Sequence, residues 1–238
     1  MNLLVTELGR TSFAEANAIQ SRARERVIAG ADPVVFILEH DPVYTIGRAG
    51  VLRDVPEGDA RRWPSVHAPA HPVIELDRGG DVTYHGPGQL VMYPVLPLKR
   101  VGISLVGYVR ALERACIAAL AEWGLRSCAR EGLTGVWVEA DGANGDGGAP
   151  LKIAAIGVGS RRWVTYHGIA VNVSTDLAAF KAITPCGIEG CRVTSLAELV
   201  GSPPTVEEFG RILAHSLARE VGLDLVDGLA FDTEASVA

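Results

Sequence analysis

Two side chains are set where they can react. Cys186 lies in Thr184-Pro185-Cys186-Gly187-Ile188, between a proline and a glycine, where the chain must turn sharply. A sharp turn presents a sulfur to a substrate and brings backbone N–H groups beside it, and a thiolate attacks a thioester without strong further activation. The local context leaves a structural loop cysteine equally open. Lys152 begins Lys152-Ile153-Ala154-Ala155-Ile156-Gly157-Val158, a strand-like run that is apolar on both faces except for that amine. Lysine is rarely buried, and its charge state becomes tunable when it is. Taken alone, Lys152 also reads as the solvent end of a strand.

A third feature is Arg78-Gly79-Gly80-Asp81-Val82-Thr83-Tyr84-His85-Gly86-Pro87-Gly88-Gln89-Leu90, a glycine-dense loop carrying an arginine and a histidine. Glycine lets backbone approach a ligand where a side chain would block it, and such loops between strands often carry function. His85 and His167 each precede a glycine, and each fits a general base, a substrate donor or a structural histidine. His85 lies inside the loop and favours function; His167 favours structure. Cys116 falls on an apolar helical stripe and Cys128 in a strand pattern, so both read as packing residues. His85, His167, Cys186 and Cys191 contain no metal-ligand spacing, so no metal and no cofactor is expected.

These residues need a frame. Ser12-Phe13-Ala14-Glu15 reads as a capping box ahead of a helix with Ala16, Ile19, Ala23 and Val27 on one face and Gly30 at its end. A second helix carries Leu105, Val109, Leu112, Cys116, Leu120 and Trp123 and stops at Gly124. A third opens with Thr205-Val206-Glu207-Glu208 and buries Val206, Phe209, Leu213 and Leu217. Strands are expected over 3–7, 34–38, 73–77, 90–96, 135–138, 152–158 and 163–173, with a connecting loop at 50–72 and a flexible glycine-rich connection at 141–150. Interleaved strands and a few amphipathic helices predict an α/β (α+β) fold, a mostly antiparallel sheet with helices packed on it. The reading gives one catalytic domain over 1–231 and a frayed tail over 232–238.

The bulk numbers set bounds. With 238 residues and a net charge of −6, the chain can bury a large core and lacks the basic excess of a general nucleic-acid binder. The start Met1-Asn2-Leu3-Leu4 has no signal-peptide pattern, and no apolar run is long enough to span a membrane. The expectation is a cytoplasmic monomer with four free thiols. Basic residues such as Arg48, Arg61, Arg62, Arg161 and Arg162 read as solvated surface, or as docking points for acidic partners.

Together the blocks resemble a family. The 78–90 loop is similar to the signature loop of octanoyltransferases of lipoate biosynthesis. The resemblance continues in Leu38-Glu39-His40-Asp41-Pro42-Val43-Tyr44-Thr45-Ile46-Gly47-Arg48, Gly135-Val136-Trp137, Lys152 to Gly157, His167-Gly168-Ile169-Ala170-Val171-Asn172 and Pro185-Cys186-Gly187-Ile188. It implies a biotin/lipoate-protein ligase-like (class II synthetase-like) fold. It also implies transfer of an octanoyl group from octanoyl-acyl carrier protein to a lysine of lipoyl domains, those of 2-oxoacid dehydrogenase complexes and the glycine cleavage H protein. On this resemblance Cys186 is the acyl-thioester nucleophile and Lys152 lowers its pKa. Substrate contacts fall to Arg78, Gly79, Gly80, Asp81, Val82, Thr83, Tyr84 and His85, to Ala155, Ile156 and Gly157, and to Gly168, Ile169 and Ala170. Tyr166 and the length of the 141–150 loop depart mildly from the family pattern.

The implied chemistry is physically reachable. Moving a cysteine from about 8.5 to about 6.5 takes roughly 2.7 kcal/mol, within what one nearby ammonium supplies. The acceptor amine then loses its proton to Lys152 or His85, and backbone N–H groups of the glycine loop or the cysteine turn face the oxyanion. The competing readings are an ATP-dependent lipoate or biotin ligase on the same fold, which needs no cysteine, and a non-catalytic acyl- or carrier-protein-binding module.

Overall fold

The computed structural model describes residues 1–139 and 149–227. In chain order the main elements are β1 (Asn2–Thr11), α1 (Phe13–Ile28), β2 (Val34–His40), β3 (Val43–Ile46), β4 (Val73–Glu75), β5 (Val82–His85), β6 (Gln89–Val95), α2 (Leu98–Val101) and α3 (Leu105–Ala121). They continue with β7 (Ser127–Arg130), β8 (Leu133–Val138), β9 (Leu151–Arg161), β10 (Val164–Asn172), α4 (Leu196–Leu199), α5 (Val206–Glu220) and β11 (Asp224–Asp227). The expectations for the tail and for nearly all of the 141–150 connection lie outside the described residues.

An eight-stranded sheet runs β11-β1-β2-β6-β10-β9-β8-β7. β1 pairs parallel with β2 and β11, and every other neighbour is antiparallel. Its central strands β2 and β6 read as continuous apolar runs because helices cover both faces. Val35, Ile37, Leu90 and Met92 face α3 and α5, packing with Leu112, Cys116, Phe209 and Leu213. Val34, Phe36, Leu38, Val91, Tyr93 and Val95 face α1 and meet Ala16, Ile19, Ala23 and Val27. The period of two along each strand thus feeds two cores.

The helix ends obey their caps. Ser12 and Ser104 accept N–H bonds at the starts of α1 and α3, and Thr205 and Glu208 form a full reciprocal box on α5. At Ser12 only the limb from Glu15 N–H to the serine hydroxyl forms, half of the box read from the sequence.

A second, three-stranded sheet β4-β3-β5 is a departure from the sequence reading. The 78–90 segment is not loop throughout: Val82–His85 pairs antiparallel with Val43–Ile46. This small sheet has its own core of Tyr44, Ile46, Val82, Tyr84, Phe180 and Ile183. Phe180 and Ile183 belong to the segment that leads into the Cys186 turn, so this core fastens that turn to β5. Among the described residues no helix is long and apolar enough to cross a membrane, and all four cysteines are unpaired.

Candidate active site

Cys186 occupies a single 3-10 turn, Pro185–Gly187, with φ 58° and ψ 18°. Left-handed backbone is uncommon for a side chain other than glycine, and it persists only where its surroundings enforce it. Here the enforcement is visible. A Cβ on Gly187 would fall 2.4 Å from Asp81 Oδ2, so only glycine lets the turn seat on that carboxylate. Asp81 is itself held by Ser65 Oγ at 3.1 Å and the Val82 N–H at 2.6 Å. The Gly187 and Ile188 amides close the turn onto Thr184 O (2.9 Å) and Pro185 O (3.1 Å). These two N–H groups are therefore committed to the turn itself.

Lys152 is 3% exposed, which overturns the reading of a solvent-end lysine. Its Nζ donates to Cys186 Sγ at 3.0 Å and to Thr134 O at 2.9 Å, and lies 5.0 Å from the Trp137 ring centroid. The space for this side chain comes from Gly135, at φ 125°, where a Cβ would sit 2.8 Å from Lys152 Cε and 2.5 Å from Ala154 O. The β8–β9 register shifts between Val136 and Trp137. Buried Glu113 on α3 pins the irregular stretch by accepting from Gly135 N–H at 3.1 Å.

Cys186 lines a cleft that opens to solvent, about 470 Å³ with the open solvent at its mouth included. Of the residues expected to touch substrate, Arg78, Gly80, Asp81, Val82, Thr83, His85, Ala155, Ile156, Gly157, Gly168, Ile169 and Ala170 line it with Cys186. Two do not. Tyr84 alternates to the other face of β5, where its ring packs edge-on against Phe180 at 5.6 Å. Gly79 anchors the loop, its N–H donating to Val158 O at 2.9 Å. The sequence reading missed Phe13, Thr45, Leu76, Val91 and Tyr93 in this lining and held His167 to be structural. Nothing local marks the first five, since they reach the cleft only through sheet pairing and α1 packing.

Arg78 is 6% exposed yet carries the cleft's positive charge. Its Nη2 donates to Thr45 O (2.7 Å) and Thr45 Oγ1 (2.9 Å), and its Nη1 to Gly79 O (3.0 Å). Burial pulls its pKa down and the neighbouring Cys186, Tyr93 and Asp81 oppose that. A guanidinium nevertheless stays charged in proteins.

The histidines around it are neutral. Burial drives His85 well below the ordinary imidazole value, and His40 and Arg78 add to the shift. His167 falls to about 3, through burial first and then the charges of Arg78 and Arg24. His40 is lowered by burial, and its ring contacts Tyr93 Oη at 2.8 Å and Thr11 O at 3.1 Å.

Surface arginines are mostly engaged. Arg48 pairs with Asp77, Arg61 with Asp59 and Arg62 with Glu75, the last with only 11% of its side chain exposed. Arg62 also donates to Val55 O at 2.6 Å, so it holds the 50–72 segment together and is no free docking point. Among the described residues His85, His167, Cys186 and Cys191 form no group able to hold a metal ion.

The Lipoyl protein ligase A/B catalytic domain family matches residues 12–218. An octanoyltransferase of Geobacter metallireducens is 44% identical over 213 residues, covering 89% of this chain and 90% of that one. One from Geobacter sulfurreducens is 45% identical over 215 residues, covering 90% and 83%. Among solved structures, an archaeal bipartite lipoate protein ligase from Thermoplasma acidophilum superposes with a TM-score of 0.66 at 19% identity, covering 98% of this chain and 89% of that one, a likeness of fold. The extent of the match places this chain in the octanoyltransferase family of lipoyl protein ligase A/B catalytic domains.

Proposed function

We propose that the protein moves an octanoyl group from octanoyl-acyl carrier protein to a lysine of lipoyl domains through an acyl thioester on Cys186. The observation that carries this reading is the 3.0 Å contact between Lys152 Nζ and Cys186 Sγ at the edge of a mostly apolar cleft that opens to solvent.

The steps balance. An ammonium beside a sulfur favours the thiolate. The Cys186 thiolate attacks the donor's thioester carbonyl, the carbon–sulfur bond to the pantetheine breaks, and the departing thiolate takes a proton from the Lys152 ammonium. The now neutral Lys152 accepts a proton from the acceptor's lysine, whose amine attacks the Cys186 thioester. The amide forms, the Cys186 thiolate leaves, and the thiolate–ammonium pair is restored. Arg78, buried and charged in the cleft, supplies electrostatic stabilisation of the oxyanion. Ala155, Ile156, Gly157, Gly168, Ile169 and Ala170 give the acyl chain small and aliphatic walls. The cleft is complete within one chain, so this reading needs no second copy, and it belongs to the cytoplasm, where thiols stay reduced.

Incubation with octanoyl-acyl carrier protein is expected to add one octanoyl mass to the protein, removable by hydroxylamine and absent in Cys186→Ala. Octanoate with ATP and magnesium is expected to yield no adenylate. An adduct that persists in Cys186→Ala, or adenylate formation, defeats the proposal.

A further inference from the structure

A line of buried polar groups runs from the Arg78 guanidinium to the main chain of Lys152. Arg78 Nη2 meets Thr45 Oγ1 at 2.9 Å, and Thr45 Oγ1 meets His85 Nε2 at 3.2 Å. His85 Nδ1 meets Gln89 Oε1 at 2.7 Å, Gln89 Nε2 meets Asn172 Oδ1 at 3.0 Å, and Asn172 Nδ2 meets Thr194 O at 3.0 Å. The Thr194 N–H then donates to Lys152 O at 3.0 Å. Thr45, His85, Gln89, Asn172 and Thr194 are all buried.

The ends of this line dictate the direction of every bond in it. Thr194 O only accepts, so Asn172 presents its NH₂ there and its Oδ1 to Gln89. Gln89 Nε2 also donates to Tyr84 O at 3.0 Å, which only accepts. Gln89 Oε1 is therefore what His85 Nδ1 meets, and Nδ1 must carry the hydrogen. At the other end the guanidinium only donates, so Thr45 Oγ1 accepts from it and is free to pass its own hydrogen to His85 Nε2. Beside a permanent cation and out of water, the imidazole stays neutral.

We infer that Thr45, His85, Gln89 and Asn172 form a one-way hydrogen-bond circuit that locks His85 in the Nδ1–H form, and that these residues position Arg78 and the Lys152 strand. The inference rests, for its catalytic meaning, on the reaction proposed above. His85 is then a positioning residue: both its nitrogens are engaged, none is left for an incoming amine, and Lys152 is the working base. The circuit also explains why a glycine-rich segment carries Gln89 at its exit and why β10 ends in a buried asparagine. Each group is satisfied, and losing one strands its neighbours without water.

The test combines a readout on the resting protein with two on function. With ¹⁵N-labelled histidine, His85 is expected to show a protonated Nδ1 and a bare Nε2, unchanged from pH 5.5 to 8.5. Thr45→Val, which keeps shape but removes the hydroxyl, is expected to lower the rate of Cys186 acylation about 10- to 100-fold, the scale of a hydrogen bond to a charged group. It is also expected to slow alkylation of Cys186 by iodoacetamide, because Arg78 lies within charge reach of that sulfur. Thr45→Ser should restore both rates. Gln89→Leu, checked for folding by circular dichroism, should release the tautomer lock. A His85 that titrates in this range, an Nε2–H form in the wild type, or a Thr45→Val protein with normal acylation and alkylation overturns the inference. The nuclear magnetic resonance and alkylation readouts use no acyl donor. If both come out as expected while the wild type forms no octanoyl adduct, the proposed reaction fails and the circuit stands.

Discussion

The Cys186–Lys152 contact joins two residues that sequence context alone left ambiguous. A turn cysteine and a strand-end lysine each have ordinary explanations, and the structure sets the two 3.0 Å apart. If the ammonium sets the reactivity of the sulfur, Lys152→Ala slows alkylation of Cys186 near pH 7 by roughly tenfold or more, the scale of one opposite charge at contact. Alkylation rates from pH 5 to 10 check this, and superimposable wild-type and variant profiles would refute it. The polar side chains that support the site were hidden for a common reason. Thr45, Asn172 and Glu113 are polar residues whose burial depends on partners tens of residues away, and apolar periodicity carries no trace of them.

At the scale of elements, the bulge in β8 creates the room for Lys152. Gly135→Ala puts a Cβ against Ala154 O and Lys152 Cε and disfavours φ 125°. The expected result is a loss of about 1–3 kcal/mol in stability, with alkylation of Cys186 slowed as in Lys152→Ala. Urea midpoints and alkylation rates read the two effects, and a variant equal to wild type in both would show that the bulge does not position the lysine. Elements with their own apolar rhythm were legible in advance: α3 and α5, and the runs of β2 and β6. The small sheet was not. β5 is four residues between glycine pairs, and its partner β3 lies far back along the chain, so pairing overrides a local composition that reads as loop. β11 went unread for the same reason, a four-residue strand defined only by its partner.

For the molecule as a whole, the buried histidines tie stability to pH. His40, His85 and His167 have folded-state pKa values below the ordinary one, burial being the main cause for each. The unfolded chain protonates them near pH 6.5, while the folded chain does not until lower pH. Stability is thus full above about pH 6.5 and declines as pH falls, by up to about 1.4 kcal/mol per pH unit for each histidine. Asp59, Glu75 and Asp77 are shifted downward by their arginine partners, so their contribution is lost only below the usual carboxylate range. Between pH 6.5 and 4.5 the histidines dominate. Urea midpoints at pH 7.5, 6.0 and 5.0 are expected to fall, more gently in His40→Gln; a flat series would contradict the account. The β1–β11 pairing adds a consequence for synthesis. Asn2–Val5 ends up between β2 and Asp224–Asp227. Until Asp224–Asp227 has been synthesised, the outer edge of Asn2–Val5 lacks its native partner and stays open to wrong strand partners.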